Sequence, residues 1–218
     1  FQRVTLGHGT IADFTATGWG QWLRIFLPAH DETDLDRLPD RVNLSGYLRY
    51  LAIGSERRPV ERAYAVRGFR PIGREGPELD IDFVLHGPGA PASAWAQSCR
   101  PGDRLGLVDA GPAFDPARGS DHVLLVADET GVPAVASVLA SLPADTTGTA
   151  VLEVPSIDDA VELAHPRGVE VVWLSREDDD PPGLAAIEAA RAASIDRARV
   201  HAFLAGEQSL AHARRQQV

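Results

Sequence analysis

The chain has 218 residues, 44% of them apolar, which is ample for one large or two small packed domains. Its 21 basic residues are all arginine and its 31 acidic residues leave a formal charge of −10, a balance that disfavours nucleic acid and anionic membrane surfaces as partners. No apolar run is long enough to span a bilayer and no charged-then-apolar leader is present, so a soluble, cytoplasmic protein is expected.

From residue 1 to about 110 the chain reads as short strands separated by turns. The predicted strands are Arg3–Leu6, Gln21–Leu27, Leu44–Ala52, Glu61–Phe69, Glu78–Leu85 and Arg104–Val108. Within the fifth, Leu79, Ile81, Phe83 and Leu85 alternate with Asp80, Asp82 and Val84, the period of a half-buried antiparallel strand. Six such segments predict a small closed antiparallel barrel over residues 1–112. One helix interrupts it, Ser93–Cys99, with Ser93 as cap and Pro101-Gly102 as terminator.

Beyond the linker Gly111–Ser120 the periodicity changes. His122–Ala127 is a continuous apolar run, as in a strand buried on both faces, and Val132–Leu142 is an alanine-rich helix with Pro133 in its first turn. Strand Thr149–Val154, helix Ile157–Leu163, strand Val169–Leu174, helix Gly183–Ala193, strand Val200–Ala205 and a helix from Ser209 follow. Regular alternation of strand and helix predicts a parallel, doubly wound α/β domain over residues 121–218.

The chemistry-bearing residues begin with Arg62-Ala63-Tyr64-Ala65 on the fourth predicted strand. An arginine and a tyrosine two apart on a strand face the same way, so a guanidinium can grip a diphosphate while a phenol ring lies against a flat heterocycle. Some twenty residues on comes the loop His86-Gly87-Pro88-Gly89-Ala90-Pro91-Ala92-Ser93-Ala94-Trp95. It contains a G-x-G-x-x-A pattern, but the alternating strand before it belongs to the barrel and not to a βαβ unit. The free N–H groups of Ala92, Ser93 and Ala94 at the helix start would still attract a diphosphate.

These segments resemble the Arg-x-Tyr-Ser/Thr signature of ferredoxin-reductase-like flavoproteins and, through the loop, the siderophore-interacting proteins, which are flavin-dependent ferric-siderophore reductases. His86, Gly87, Pro91, Ala92, Ser93, Trp95 and Ala96 fit the family's loop, and Ala90 stands where it commonly has glycine. The resemblance implies FAD, with Tyr64 stacked on the isoalloxazine and Arg62 on the phosphates. Ala65 departs from the family, which commonly has a hydroxyl there. Asp128-Glu129-Thr130-Gly131-Val132-Pro133-Ala134 resembles the family's segment after the first parallel strand, which implies a contact from Thr130 to nicotinamide or flavin. Asp128 and Glu129 also suit the dipole of the following helix.

Ser175-Arg176 lies where ferredoxin-reductase-like enzymes hold the 2′-phosphate of NADPH, although the acidic run Glu177–Asp180 weakens that grip; NADPH or NADH is the expected electron donor, with ferredoxin as an alternative. Ala205-Gly206-Glu207 resembles the family's Ala-Gly-Glu near the nicotinamide. The chain begins at Phe1, without Met and inside a predicted strand, and the resembled family continues beyond the last residue, so terminal segments are expected to be missing at both ends.

One cysteine, Cys99, cannot ligate an iron–sulfur cluster, and the seven histidines show no metal-ligand spacing, so no protein-held metal is expected. The expected function is reduction of ferric siderophores through FAD. Rivals are another flavin or ferredoxin-type reductase of the superfamily and a non-catalytic siderophore carrier. An anionic chelate approaching an acidic protein requires a basic patch, for which Arg24, Arg49 and Arg70 are the candidates.

Overall fold

The computed structural model describes residues 1–85, 89–115, 122–177, 180–192 and 200–207. It divides into two compact units, one made of Phe1–Thr17 with Gln21–Ala113 and the other of Gly18–Gly20 with Phe114–Val218.

The first unit holds strands β1 (Gln2–Gly7), β2 (Trp22–Leu27), β3 (Val60–Ala65), β4 (Gly68–Arg70), β5 (Glu78–Phe83) and β6 (Gly106–Gly111), with helices α1 (Leu44–Leu51) and α2 (Pro91–Ser98). The strands form two antiparallel three-stranded sheets, ordered β1-β5-β4 and β3-β2-β6, so the closed six-stranded barrel expected from the sequence is replaced by a pair of open sheets. Alternate residues of the two sheets meet in one core: Leu23, Ile25 and Leu27 of β2 face Leu79, Ile81 and Phe83 of β5, with Ala92 and Ala96 of α2 closing it. Each large side chain buried there contributes about 1.5–3 kcal/mol.

Three expectations need correction in this unit. Leu44–Ala52 is helical, because the Asn43 side chain accepts the Gly46 N–H at 2.8 Å and caps α1. Glu61–Phe69 is two strands: after β3 the chain changes partner, with Val66 N–H bonded to Gln21 O at 2.8 Å and Arg67 N–H to Asp80 O at 2.9 Å, so it turns from one sheet to the other between them. The β5 strand is buried on both faces. Its carboxylates are covered by partners, Asp80 by Thr5 and Arg70 and Asp82 by Arg3 and Arg67.

The second unit is a four-stranded parallel sheet of β7 (His122–Ala127), β8 (Thr147–Val154), β9 (Gly168–Ser175) and β10 (Val200–Ala205), ordered β10-β7-β8-β9. Helix α3 (Val132–Ser141) packs on Val123, Leu125 and Ala127, while α4 (Leu184–Ala192) packs with Ala186 on Val126 and Val151 of the opposite face. The continuous apolar runs thus serve two helical layers. Ile157–Leu163 forms only a short 3₁₀ turn over Ile157–Asp159, since Asp158 and Asp159 interrupt any apolar stripe and Ile157 and Val161 stay exposed. The helix expected from Ser209 lies outside the described residues.

Gly18–Gly20 takes left-handed backbone throughout, with φ of 70°, 55° and 64°. Two glycines adopt it freely; Trp19 is held in it by packing. Its N–H donates to Ser141 Oγ at 3.0 Å, its carbonyl accepts the Phe114 N–H at 3.0 Å and its indole stacks on Phe114 with centroids 6.1 Å apart.

Candidate functional site

Arg62 and Tyr64 stand opposite Ile25 and Leu23 in the β2–β3 register, so they share a face of that sheet. The Tyr64 ring is half-buried and tilts against Phe83 at a centroid distance of 4.5 Å, and Phe83 continues to Trp95 of α2 at 5.9 Å. Burial pushes the Tyr64 hydroxyl above its usual range, opposed by the Arg62 charge. Arg62 is exposed and, among the described residues, its guanidinium donates only to the Glu61 carbonyl, at 2.8 Å. Among the described residues no carboxylate pairs with it, unlike most arginines of this unit. Ala63 is exposed and Ala65 half-buried beside Trp22.

Helix α2 packs against β3 and starts two residues earlier than expected, at Pro91, with Ala90 in the cap position. Ser93 is therefore inside the first turn, buried, and its hydroxyl accepts Gln97 Nε2 at 3.2 Å instead of capping. Ala94 N–H is bonded to Ala90 O at 2.9 Å, so Ala92 and Ser93, and not Ala94, supply the open N–H groups of the helix start. His86 and Gly87 lie outside the described residues.

These features fit FAD. An arginine without a carboxylate partner, an aromatic ring on the same sheet face and a helix start are the three elements a diphosphate-linked flavin requires.

In the second unit the candidates gather at the carboxyl ends of the parallel strands, where ligands of such sheets bind. Asp128 is fully buried. Its Oδ1 accepts the Thr130 N–H at 2.8 Å, the Thr130 hydroxyl at 2.6 Å and the Gly131 N–H at 3.2 Å, and its Oδ2 accepts the Glu207 N–H at 2.7 Å. Asp128 is thus a fastening for two loops as well as a dipole partner, and the Thr130 hydroxyl proton is committed to it. Gly206 approaches so closely that a Cβ there would lie 2.4 Å from Asp128 Oδ2.

Ser175 is exposed at the end of β9, and Arg176 follows it with only 14% of its side chain exposed. Its Nη1 and Nη2 grip Glu129 at 2.8 and 2.9 Å, and Nη1 also reaches Glu153 at 3.2 Å. Glu153 was not singled out by sequence. It is fully buried and accepts the N–H groups of Gly183 at 2.7 Å and Ala186 at 3.1 Å, which caps α4. The signal available was a carboxylate inside the apolar run Thr149–Val154.

The three arginines expected to form a basic patch lie on three elements, each beside a carboxylate: Arg24 of β2 pairs with Glu61, Arg49 of α1 with Asp40 at 3.6 Å, and Arg70 of β4 with Glu78 at 2.8 Å and with Asp80. Among the described residues no cluster of histidine, cysteine and carboxylate is arranged to hold a metal ion.

An antiparallel unit followed by a parallel α/β unit is the fold of the ferredoxin reductase in carbazole 1,9a-dioxygenase, which superposes with a TM-score of 0.56 at 18% identity. Within that fold the chain belongs to the siderophore-interacting protein family: residues 1–114 match the siderophore-interacting FAD-binding domain and residues 120–218 the siderophore-interacting protein model. It is 34% identical over 178 residues to the ferric vibriobactin reductase ViuB of Vibrio cholerae, which is 80% of this chain and 61% of that protein. Over 184 residues it is 32% identical to the NADPH-dependent ferric-chelate reductase of Escherichia coli, 82% of this chain and 66% of that one. The crystal structure of the siderophore-interacting protein SipS from Aeromonas hydrophila superposes with a TM-score of 0.71 at 30% identity, covering 98% of this chain and 78% of SipS. The chain spans about three fifths of the length of ViuB.

Proposed function

We propose that the protein is a ferric-siderophore reductase that passes electrons from NAD(P)H through FAD to chelated Fe(III) and releases Fe(II) for iron utilisation. The carrying observation is Arg62, without a carboxylate partner among the described residues and beside the half-buried Tyr64 ring, in a chain of this family. The named activities of ViuB and the Escherichia coli relative support the same reading. Residues 1–112 are the FAD-binding domain and residues 121–218 the nicotinamide-binding domain. A cytoplasmic location suits a consumer of NAD(P)H, and among the described residues no helix is long and apolar enough to cross a membrane.

FAD, when bound, would supply the two-electron to one-electron chemistry by which NAD(P)H and two Fe(III) give NAD(P)⁺, a proton and two Fe(II). Arg62 would hold the diphosphate together with the N–H groups of Ala92 and Ser93. Tyr64, braced by Phe83 and Trp95, would offer the flavin a stacking face. The Asp128 fastening sets the loop of Thr130 and the strand end of Gly206 and Glu207 on the nicotinamide side. Arg24, Arg49 and Arg70 would assist an anionic chelate only by exchanging their present carboxylates.

Anaerobic spectroscopy tests the reading. Purified protein supplied with FAD should show flavin absorption, bleach on addition of a nicotinamide donor or reduced ferredoxin, and recover colour as a ferric siderophore is reduced. Bleaching without recovery by any ferric chelate, but with recovery by free flavin or ferredoxin, would move the protein to a different reductase class. Failure to bind FAD would make it a siderophore carrier.

A further inference from the structure

The setting of Arg176 bears on which nicotinamide donor the second unit accepts, and the inference rests on the nicotinamide reading proposed above. A 2′-phosphate brings about −1.5 to −2 charges and needs a cation with open hydrogen-bond donors. Arg176 offers few. Glu129 occupies both its terminal nitrogens in a bidentate fork at 2.8 and 2.9 Å, and Glu153 takes a further bond at 3.2 Å. The three groups sum to −1.

Neither carboxylate is easily displaced. Glu153 is fully buried and simultaneously holds Gly183 and Ala186, so moving it uncaps α4. Glu129 is 9% exposed and holds Arg176 through both carboxylate oxygens, a fork that a phosphate would have to outcompete. The next residue, Glu177, is an exposed carboxylate that adds negative charge at the same strand end. A carboxylate at this edge suits a ribose that still carries its hydroxyls, since it accepts their hydrogen bonds and repels a phosphate.

We propose that this strand edge selects the donor without a 2′-phosphate, so that NADH is preferred over NADPH, and that Arg176 is a positioning residue that ties β7, β8 and β9 to α4. The choice of donor then belongs to Glu129 and Glu177.

The test is a comparison of 5′-AMP with adenosine 2′,5′-bisphosphate by titration calorimetry on the FAD-loaded protein, alongside kcat/KM for NADH and NADPH. The expected result is that the bisphosphate binds no tighter than AMP and that NADH is the better donor by about tenfold or more. Glu129→Gln removes one charge from the triad and should strengthen bisphosphate binding about tenfold while AMP affinity stays within about twofold. Arg176→Ala should lower the unfolding temperature and, by leaving two carboxylates without their cation, shift the ratio of the two affinities further toward AMP while the bisphosphate stays the weaker ligand.

Tighter binding of the bisphosphate by the parent, about tenfold or more and lost in Arg176→Ala, overturns the inference and leaves the proposed reductase standing. If neither nucleotide binds and neither donor bleaches the flavin, the inference and the nicotinamide part of the proposed function fall together.

Discussion

The buried carboxylate of Asp128 accepts the backbone N–H of Glu207 at 2.7 Å, joining the carboxyl ends of β7 and β10, which lie side by side in the parallel sheet. With its other oxygen it holds the turn that opens α3. One side chain therefore sets two loops at the carboxyl end of the sheet.

Replacing Asp128 by Ala leaves the Thr130 and Glu207 N–H groups without their carboxylate acceptor, so the variant should lose about 1–3 kcal/mol of stability. Gly206→Ala should also destabilise, because its Cβ would press on Asp128 Oδ2 and its φ of +149° suits glycine. Urea midpoints of the two variants check this; a parent-like midpoint for both removes Asp128 as a fastening.

Arg62→Ala should weaken FAD binding roughly ten- to a hundredfold through loss of a charge-assisted contact worth about 1.5–3 kcal/mol. Tyr64→Phe keeps the ring and should bind FAD within about threefold of the parent, whereas Tyr64→Ala removes the stacking face. Flavin fluorescence titration reads all three, and an Arg62→Ala protein that holds FAD like the parent assigns the diphosphate elsewhere.

Stability should fall on acidification through the ionic ladder of the β1-β5-β4 sheet. Burial alone would raise the Asp80 carboxyl, but hydrogen bonds from Arg70 and Thr5 and the nearby arginine charges outweigh it and hold it below its usual range. Glu78 is held low by the Arg74 N–H and by Arg70. Carboxyls depressed in the folded state stabilise it above their unfolded titration, near pH 4, and that contribution is lost as pH drops further. Urea midpoints between about pH 6 and pH 3 should decline, and less steeply in Asp80→Asn. Equal slopes in the two proteins would dismiss Asp80 as the source.

On α1, Asn43→Ala should cost about 1 kcal/mol by removing the cap. Gly46→Ala should cost more, since the added Cβ would lie 2.1 Å from the Arg41 carbonyl. Thermal denaturation of the pair should rank them in that order.

Much of the fold was legible. Val200–Ala205 and His122–Ala127 coincide with β10 and β7, because a strand buried on both faces must be apolar throughout. Leu44–Ala52 was misread since its leucines and tyrosines fit either period, and the deciding cue was the polar cap Asn43 just ahead of them. Ile157–Leu163 failed for the opposite reason, with a helix inferred from alternation of elements where the side chains give no stripe. At the candidate sites, Arg62 and Tyr64 could be placed from spacing alone. The partners of Arg176 could not, because Glu129 and Glu153 are 47 and 23 residues away and meet it only once the sheet forms.

Trp19 has a consequence for how the chain is made. It is synthesised about a hundred residues before Phe114, yet belongs with it. On a ribosome the earlier piece emerges first and must wait, its indole without the surface that covers it, until the later half has been translated. A cut placed between residues 113 and 120 would therefore sever the polypeptide at the family boundary while leaving a wedge of the downstream unit on the upstream fragment. The two halves expressed separately should be less stable than the same halves mixed and refolded together.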